Sequence, residues 1–181
     1  MPNMILLPYH DGTISSDWIL GGVPGAESYY WASLDDDNGD TSFVSCDDNN
    51  ETMIIDFANP SVAEADIDFN ETVSVRFLSS GRSTDRRNAS EVAIAYHVPS
   101  GFPETCSYDA HASSYESIQG TAQSSKPGGG GWEYSDLEDL EMICTKDGTI
   151  NVYLSYLALE VTYTETVSAV AHNATFFGAN F

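Results

Sequence analysis

Apolar residues in this chain recur at every second position, in short runs bounded by turn residues, and that period admits strands and little else. In the segment 71–78, Val73, Val75 and Phe77 share one face. In 91–98 the shared face carries Val92, Ile94, Tyr96 and Val98, and in 157–163 it carries Leu157, Leu159, Val161 and Tyr163. The run 150–156 reads as a separate strand before the last of these. Further strands are expected at 41–46, 52–57, 106–108, 115–122 and 140–145.

Turn signals separate the runs: Asp37-Asn38-Gly39, Asn59-Pro60, Ser80-Gly81, Pro99 to Pro103, Gly128 to Gly131 and Asp147-Gly148. Asp147-Gly148, between two alternating runs, predicts a tight hairpin. Ser135 as a cap with Glu138 three residues on predicts one helical turn leading into a strand. Eight or nine short strands in one domain predict an all-β antiparallel β-sandwich, with jelly-roll topology. Residues 1–16 are expected to form an irregular N-terminal arm, 17–165 the sandwich, and 166–181 an apolar C-terminal tail. That tail has no charge after Glu165 and ends in Phe176, Phe177 and Phe181.

Twenty-eight acidic residues against six basic ones give a formal net charge of −22 over 181 residues. A disordered acidic chain lacks aromatics and β-branched residues, whereas this one is 41% hydrophobic and 12% aromatic, so the charge coats a folded body. Nucleic acid is excluded as a direct partner because its phosphates would be repelled, and anionic membrane surfaces are disfavoured for the same reason. No apolar run approaches the length of about eighteen residues that spans a bilayer, so no membrane insertion is expected. The first eight residues lack a basic region, and no export signal is expected there. Lysine scarcity with dispersed aspartate points to a high-salt origin, where counter-ions screen the self-repulsion; an ordinary acidic exported protein is the alternative.

Cys46, Cys106 and Cys144 are odd in number and lack the CxxC spacing, which excludes a zinc ribbon and a disulfide-dense scaffold. Three buried thiols are the favoured state, with one disulfide plus a free thiol as the alternative. Four Asn-x-Ser/Thr sequons begin at Asn50, Asn70, Asn88 and Asn173, a number that a chain rich in Asn, Ser and Thr reaches by chance.

Candidate sites are few. Asp35, Asp37 and Asp40 sit in the densest carboxylate cluster and could give oxygens to a structural Ca²⁺ or bound salt ions. The EF-hand pattern is absent, and a solvated turn with Asn38-Gly39 at its apex accounts for the same residues. Arg82, Arg86 and Arg87 gather three of the six cations into one expected hairpin loop. Arginine forks grip carboxylates, so this loop suits contact with an acidic neighbouring subunit or a carboxylate-bearing glycan, the alternative being a loop that neutralises the acidic field locally. Phe176, Phe177 and Phe181 are candidates for inter-subunit docking by aromatic anchoring or strand addition. Trp18, Trp31, Trp132, Tyr29 and Tyr30 could stack on sugars; Trp31 and Trp132 are expected in the core, leaving Trp18 as the candidate for sugar stacking. The four histidines are scattered, and no HExxH, GxSxG, P-loop or GxGxxG occurs, so no enzyme activity is expected.

The order of motifs resembles a β-sandwich module of structural proteins in tailed viruses and some bacterial exported proteins. The matching pieces are Trp18, Trp31-Ala32-Ser33-Leu34-Asp35, the acidic turn to Asp40, Thr41-Ser42-Phe43-Val44, and the strand from Met53 to Pro60. They continue with a long hairpin from Val73 to Val98 around Arg82 to Arg87, Trp132-Glu133-Tyr134-Ser135-Asp136-Leu137, and the strand from Val152 to Val161. The resemblance covers 17–163. It implies a jelly-roll-like fold and a non-enzymatic place on the surface of a virion, as a capsid decoration, turret or tail-associated subunit. Combined with the acidic surface, it points to a virus of a halophilic, archaeal host. The expected partners are further copies of the chain, in an oligomer for which a trimer is one arrangement, and other virion proteins. The alternatives are a lectin-like carbohydrate-binding module recognising a host surface glycan, and an extracellular filament subunit joined by strand donation.

Overall fold

A computed structural model describes residues 1–22, 29–35, 41–48, 50–83, 90–96, 103–108, 115–147 and 151–167, with backbone alone for 90–96, 103–108 and 147. Eleven strands among them form two antiparallel sheets. They are β1 (Asn3–Leu6), β2 (Pro8–Ile14), β3 (Trp18–Gly22), β4 (Ser42–Cys46), β5 (Thr52–Phe57) and β6 (Ser74–Ser83), then β7 (Ser90–Tyr96), β8 (Pro103–Tyr108), β9 (Glu116–Gln119), β10 (Glu141–Asp147) and β11 (Val152–Thr162). The six-stranded sheet runs β3-β4-β11-β6-β9, with β1 also on β11, and the five-stranded sheet runs β2-β5-β10-β7-β8. Only β3–β4 and β7–β8 are chain neighbours that pair within one sheet; every other connection changes sheet, the jelly-roll habit. The fold class expected from the alternation is therefore present.

The core lies between the sheets. Val75 and Phe77 on β6 and Leu154, Leu157, Leu159 and Val161 on β11 meet Met53, Ile55 and Phe57 on β5 and Met142 and Cys144 on β10. Trp132 is buried under the connection after β9, and its indole N–H donates to the Gln123 carbonyl at 2.9 Å. Among the described residues no helix is long and apolar enough to cross a membrane.

Several local expectations are corrected. The arm expected at 1–16 supplies β1 and β2, one strand to each sheet. Met4 and Leu6 alternate inward against β11, so they belong to the core. The runs expected as two strands around 150–163 are one. β11 continues through a register shift between Leu154 and Tyr156, where one extra residue reverses which parity faces inward. Asp147-Gly148 does not join a hairpin, because β10 and β11 lie in different sheets. The hairpin expected around Arg82 to Arg87 fails likewise: β6 runs on through Ser80-Gly81 to Ser83, and β7 is in the other sheet. The helical turn α1 (Tyr134–Glu138) is capped by Glu133 and Asp136, two residues upstream of the expected Ser135 and Glu138 pair.

Candidate functional site

The segment between β3 and β4 passes in front of the edge strand β2 and carries Tyr29, Tyr30 and Trp31 there. A single 3-10 turn, Trp31–Ser33, ends at Leu34, whose carbonyl accepts the N–H of Leu157 at 2.9 Å. On that side of β11, β4 pairs with 152–154 and β1 with 159–162. Leu34 thus fills the gap between them, and its fully buried side chain joins the core.

Asp11 on β2 fixes the start of the turn. Its Oδ2 accepts the Tyr30 N–H at 3.1 Å and its Oδ1 accepts the Trp31 N–H at 2.7 Å, so one carboxylate satisfies two successive backbone donors. The Tyr30 hydroxyl donates to the Trp18 carbonyl at 2.6 Å. Burial, with Asp11 nearby, raises the Tyr30 phenol above its ordinary range. Tyr30 therefore works as a neutral anchor between exposed Tyr29 and half-buried Trp31.

β2 itself is irregular. Its register with β5 shifts between Pro8 and His10 and again between Asp11 and Ile14. Such bulges at a sheet edge re-aim side chains out of the plain alternation. Gly12 permits the close approach this requires: a Cβ there would meet Ile54 Cγ2 at 2.9 Å.

The outcome is a cleft of about 560 Å³ lined by Tyr9, His10, Asp11, Tyr29 and Trp31. Tyr29 and Trp31 are stacked, with ring centroids 6.1 Å apart and planes 21° from parallel. Tyr29 is 58% exposed and Tyr9 67%, while Trp31 is half-buried with one side packed on the core. His10 Nδ1 lies 3.2 Å from Asp56 Oδ2 on β5, which orients the ring at the mouth of the cleft. Three aromatic rings, an imidazole and phenolic hydroxyls thus share a shallow concavity whose backbone is tied to three strands. Rings of this kind offer a flat apolar face and a polar rim at once.

The sugar-stacking role expected of Trp18 is not available to it. Trp18 is wholly buried between the sheets, since β3 points it inward, and no ring face is left for a ligand. Tyr29, named among the stacking candidates, stands exposed instead, stacked on Trp31, which packs one side on the core as expected and leaves the rest at the cleft. The signal that could have found them is Asp11, a carboxylate in an otherwise strand-like run with no charge partner in sequence.

Among the other expected site residues, Asp35 is half-buried, and Asp37 and Asp40 lie outside the described residues, as do Arg86, Arg87, Phe176, Phe177 and Phe181. Among the described residues no three metal-ligating side chains gather. Arg82 stands in β6 and not in a loop. Cys46 and Cys144 are both buried; the Cys106 side chain lies outside the described residues. Recesses around Phe69 are lined by Glu64, Glu133, Tyr134 and Glu138, with no stacked ring pair among the described residues.

No family model matches the chain, and no curated protein does. Solved structures do. One is the CBM36-1 domain of a multidomain xylanase from the hindgut metagenome of Trinervitermes trinervoides, at 11% identity and a TM-score of 0.47, covering 91% of this chain and all of that one. Another, described as "CBM4 structure and function", gives 8% identity and 0.34 over 83% of this chain and 95% of that one. The N-terminal cellulose-binding domain of Cellulomonas fimi β-1,4-glucanase C gives 11% and 0.31, covering 83% and 90%. All three scores fall below 0.5, so no residue or ligand is carried over from any of them.

Proposed function

We propose that this protein is a carbohydrate-binding β-sandwich that holds a neutral glycan in the cleft between β2 and the Trp31–Ser33 turn. The observation that carries the reading is the exposed, stacked Tyr29–Trp31 pair facing Tyr9. Large rings left in water on a strongly acidic protein need a use, and ring faces suit the apolar faces of pyranose rings. The polar rim of His10 and the tyrosine hydroxyls suits sugar hydroxyls, in the usual pattern of an apolar floor with a few placed polar groups. Neutrality follows from the charge, since a net −22 opposes polyanions.

The stacked rings of the cleft support the lectin-like alternative. Retention on immobilised neutral polysaccharides (cellulose, xylan, mannan and chitin) at high salt tests it. At least one is expected to retain the protein, and Tyr29→Ala is expected to weaken binding about tenfold, the loss of roughly 1.4 kcal/mol of ring contact. Retention by none of them, or full retention of both Tyr29→Ala and Trp31→Ala, refutes the cleft as the site.

A further inference from the structure

The outer face of the six-stranded sheet, which β2 does not join, carries a second set of rings. Strand register places it in one line. Ile19 on β3 faces Ser45 on β4, Ser45 faces Tyr153 on β11, and Tyr153 faces Arg82 on β6. Gly81 pairs with Glu116, which brings Tyr115 beside Arg82 at the β9 edge. The Arg82 guanidinium carbon lies 4.6 Å from the Tyr153 ring centroid and 5.3 Å from that of Tyr115. Phe43 meets Tyr153 edge-on at 5.2 Å and 66°. Its ring lies so close over Gly21 that a Cβ there would sit 2.2 Å from it.

Simple alternation would put polar side chains on this solvent face. Ile19, Phe43, Tyr153 and Tyr115 occupy it instead, with buried Ser45 as a low floor between Ile19 at 57% exposure and half-buried Tyr153. Crossing five strands takes four inter-strand steps of about 4.8 Å, a row of roughly 19 Å. A single sugar is far shorter than that. The cation between two tyrosines fixes their rings, since stacking of this kind resists rotation of either ring.

We propose that this row is a second glycan-binding surface, taking an extended neutral oligosaccharide laid across the strands. The inference rests on the glycan reading of the protein but not on the β2 cleft. The occupant follows from three features: the length of the row, its ring faces, and a net charge that turns away a polyanion of the same length.

Calorimetric titration at high salt with cellohexaose, xylohexaose and mannohexaose, each beside its disaccharide, separates the two surfaces. Ile19→Ser and Tyr115→Ser are chosen because both side chains stand outside the core, and an unchanged melting temperature confirms folding. Each is expected to weaken hexasaccharide binding about fivefold and leave disaccharide binding as it was, whereas Tyr29→Ala weakens both. If Tyr29→Ala removes all binding and the row variants change nothing, the row is not a site and the cleft stands. If the row variants lose binding while Tyr29→Ala and Trp31→Ala do not, the row stands and the cleft reading falls. A wild-type protein that binds none of the six sugars overturns both.

Discussion

Replacing Asp11 tests how the cleft is held open to solvent. Its two carboxylate oxygens accept the N–H groups of Tyr30 and Trp31 at 3.1 and 2.7 Å, and the side chain is half-buried. A hydrogen bond to a charged acceptor contributes about 1.5–3 kcal/mol. Water can reach part of this site and replace some of what is lost, so the low end applies to each bond. Asp11→Ala is then expected to cost about 2–3 kcal/mol in urea-unfolding stability. Asp11→Asn keeps one acceptor and is expected to cost about half of that. The affinity for a neutral glycan should fall further than stability alone dictates. Without the clamp the Tyr29–Trp31 stack is no longer pre-formed, and ordering it again adds about 0.5–1.5 kcal/mol for each side chain. Urea titrations at constant high salt, paired with glycan titration of each variant, read both quantities. Two results refute the reasoning: a stability loss below about 0.5 kcal/mol for Asp11→Ala, the range of an ordinary surface change, or equal glycan affinity in wild type and Asp11→Ala.

Three further outcomes follow from the packing. Trp18 is fully buried with its indole N–H unpartnered among the described residues, so Trp18→Ala should cost about 3–5 kcal/mol while Trp18→Phe, which removes that N–H, costs far less; glycan binding by a folded Trp18→Phe protein should match wild type, and its loss would restore Trp18 as a sugar contact. Arg76 Nε donates to Glu160 Oε2 at 2.5 Å and holds that carboxyl below its ordinary range, with Asn3 adding a second donor. The folded-state value is depressed, so this stability is present above the unfolded value near 4.3 and is lost as pH falls through the folded one. Glu160→Gln should therefore lower stability by about 1 kcal/mol at neutral pH and flatten the acid limb, and an unchanged acid limb would contradict it. Burial pushes the Cys46 thiol up to about 11, and Cys144 is equally enclosed, so in a Cys106→Ser protein neither should react with a disulfide reagent at pH 8 until urea unfolds the chain; rapid native labelling would show the core to be open.

Strand content was legible because burial and periodicity coincide in β5, β10 and the first half of β6, where inward residues alternate without interruption. Connection was not. Asp147-Gly148 and the stretch after Ser80 carry turn residues, but local sequence does not say whether a turn returns to the same sheet or crosses to the other; that is decided by which apolar face must be covered. β11 shows a related limit, since a single extra residue near Ser155 reverses parity and imitates the end of a strand. Residues 1–16 read as irregular because His10, Asp11 and Gly12 break the pattern of β2, and those breaks are what build the cleft. The tryptophans misled for a simple reason. Burial of a ring depends on what its segment packs against, and for Trp18 on β3 and Trp31 in the 3-10 turn that was set by partners distant in the chain.

The distribution of charge explains why ligand contact should fall to neutral rings. Among the described residues every cation is already engaged or enclosed by the protein itself. Lys126 binds Asp136 with both carboxylate oxygens, Arg76 binds Glu160, Arg82 is flanked by Tyr115 and Tyr153, and Lys146 is fully buried. What remains charged on the described surface is carboxylate, beside exposed rings and neutral polar side chains. Carboxylates repel anions and, spread singly, hold no cation tightly, so they give solubility without recognition. Binding energy must then come from ring faces and hydroxyl-sized hydrogen bonds, which act over contact distance and are little screened by salt. Among the described residues, an acidic coat with its cations already engaged therefore selects against anionic ligands before any pocket is shaped, and the two aromatic surfaces are where we propose that an uncharged one is held.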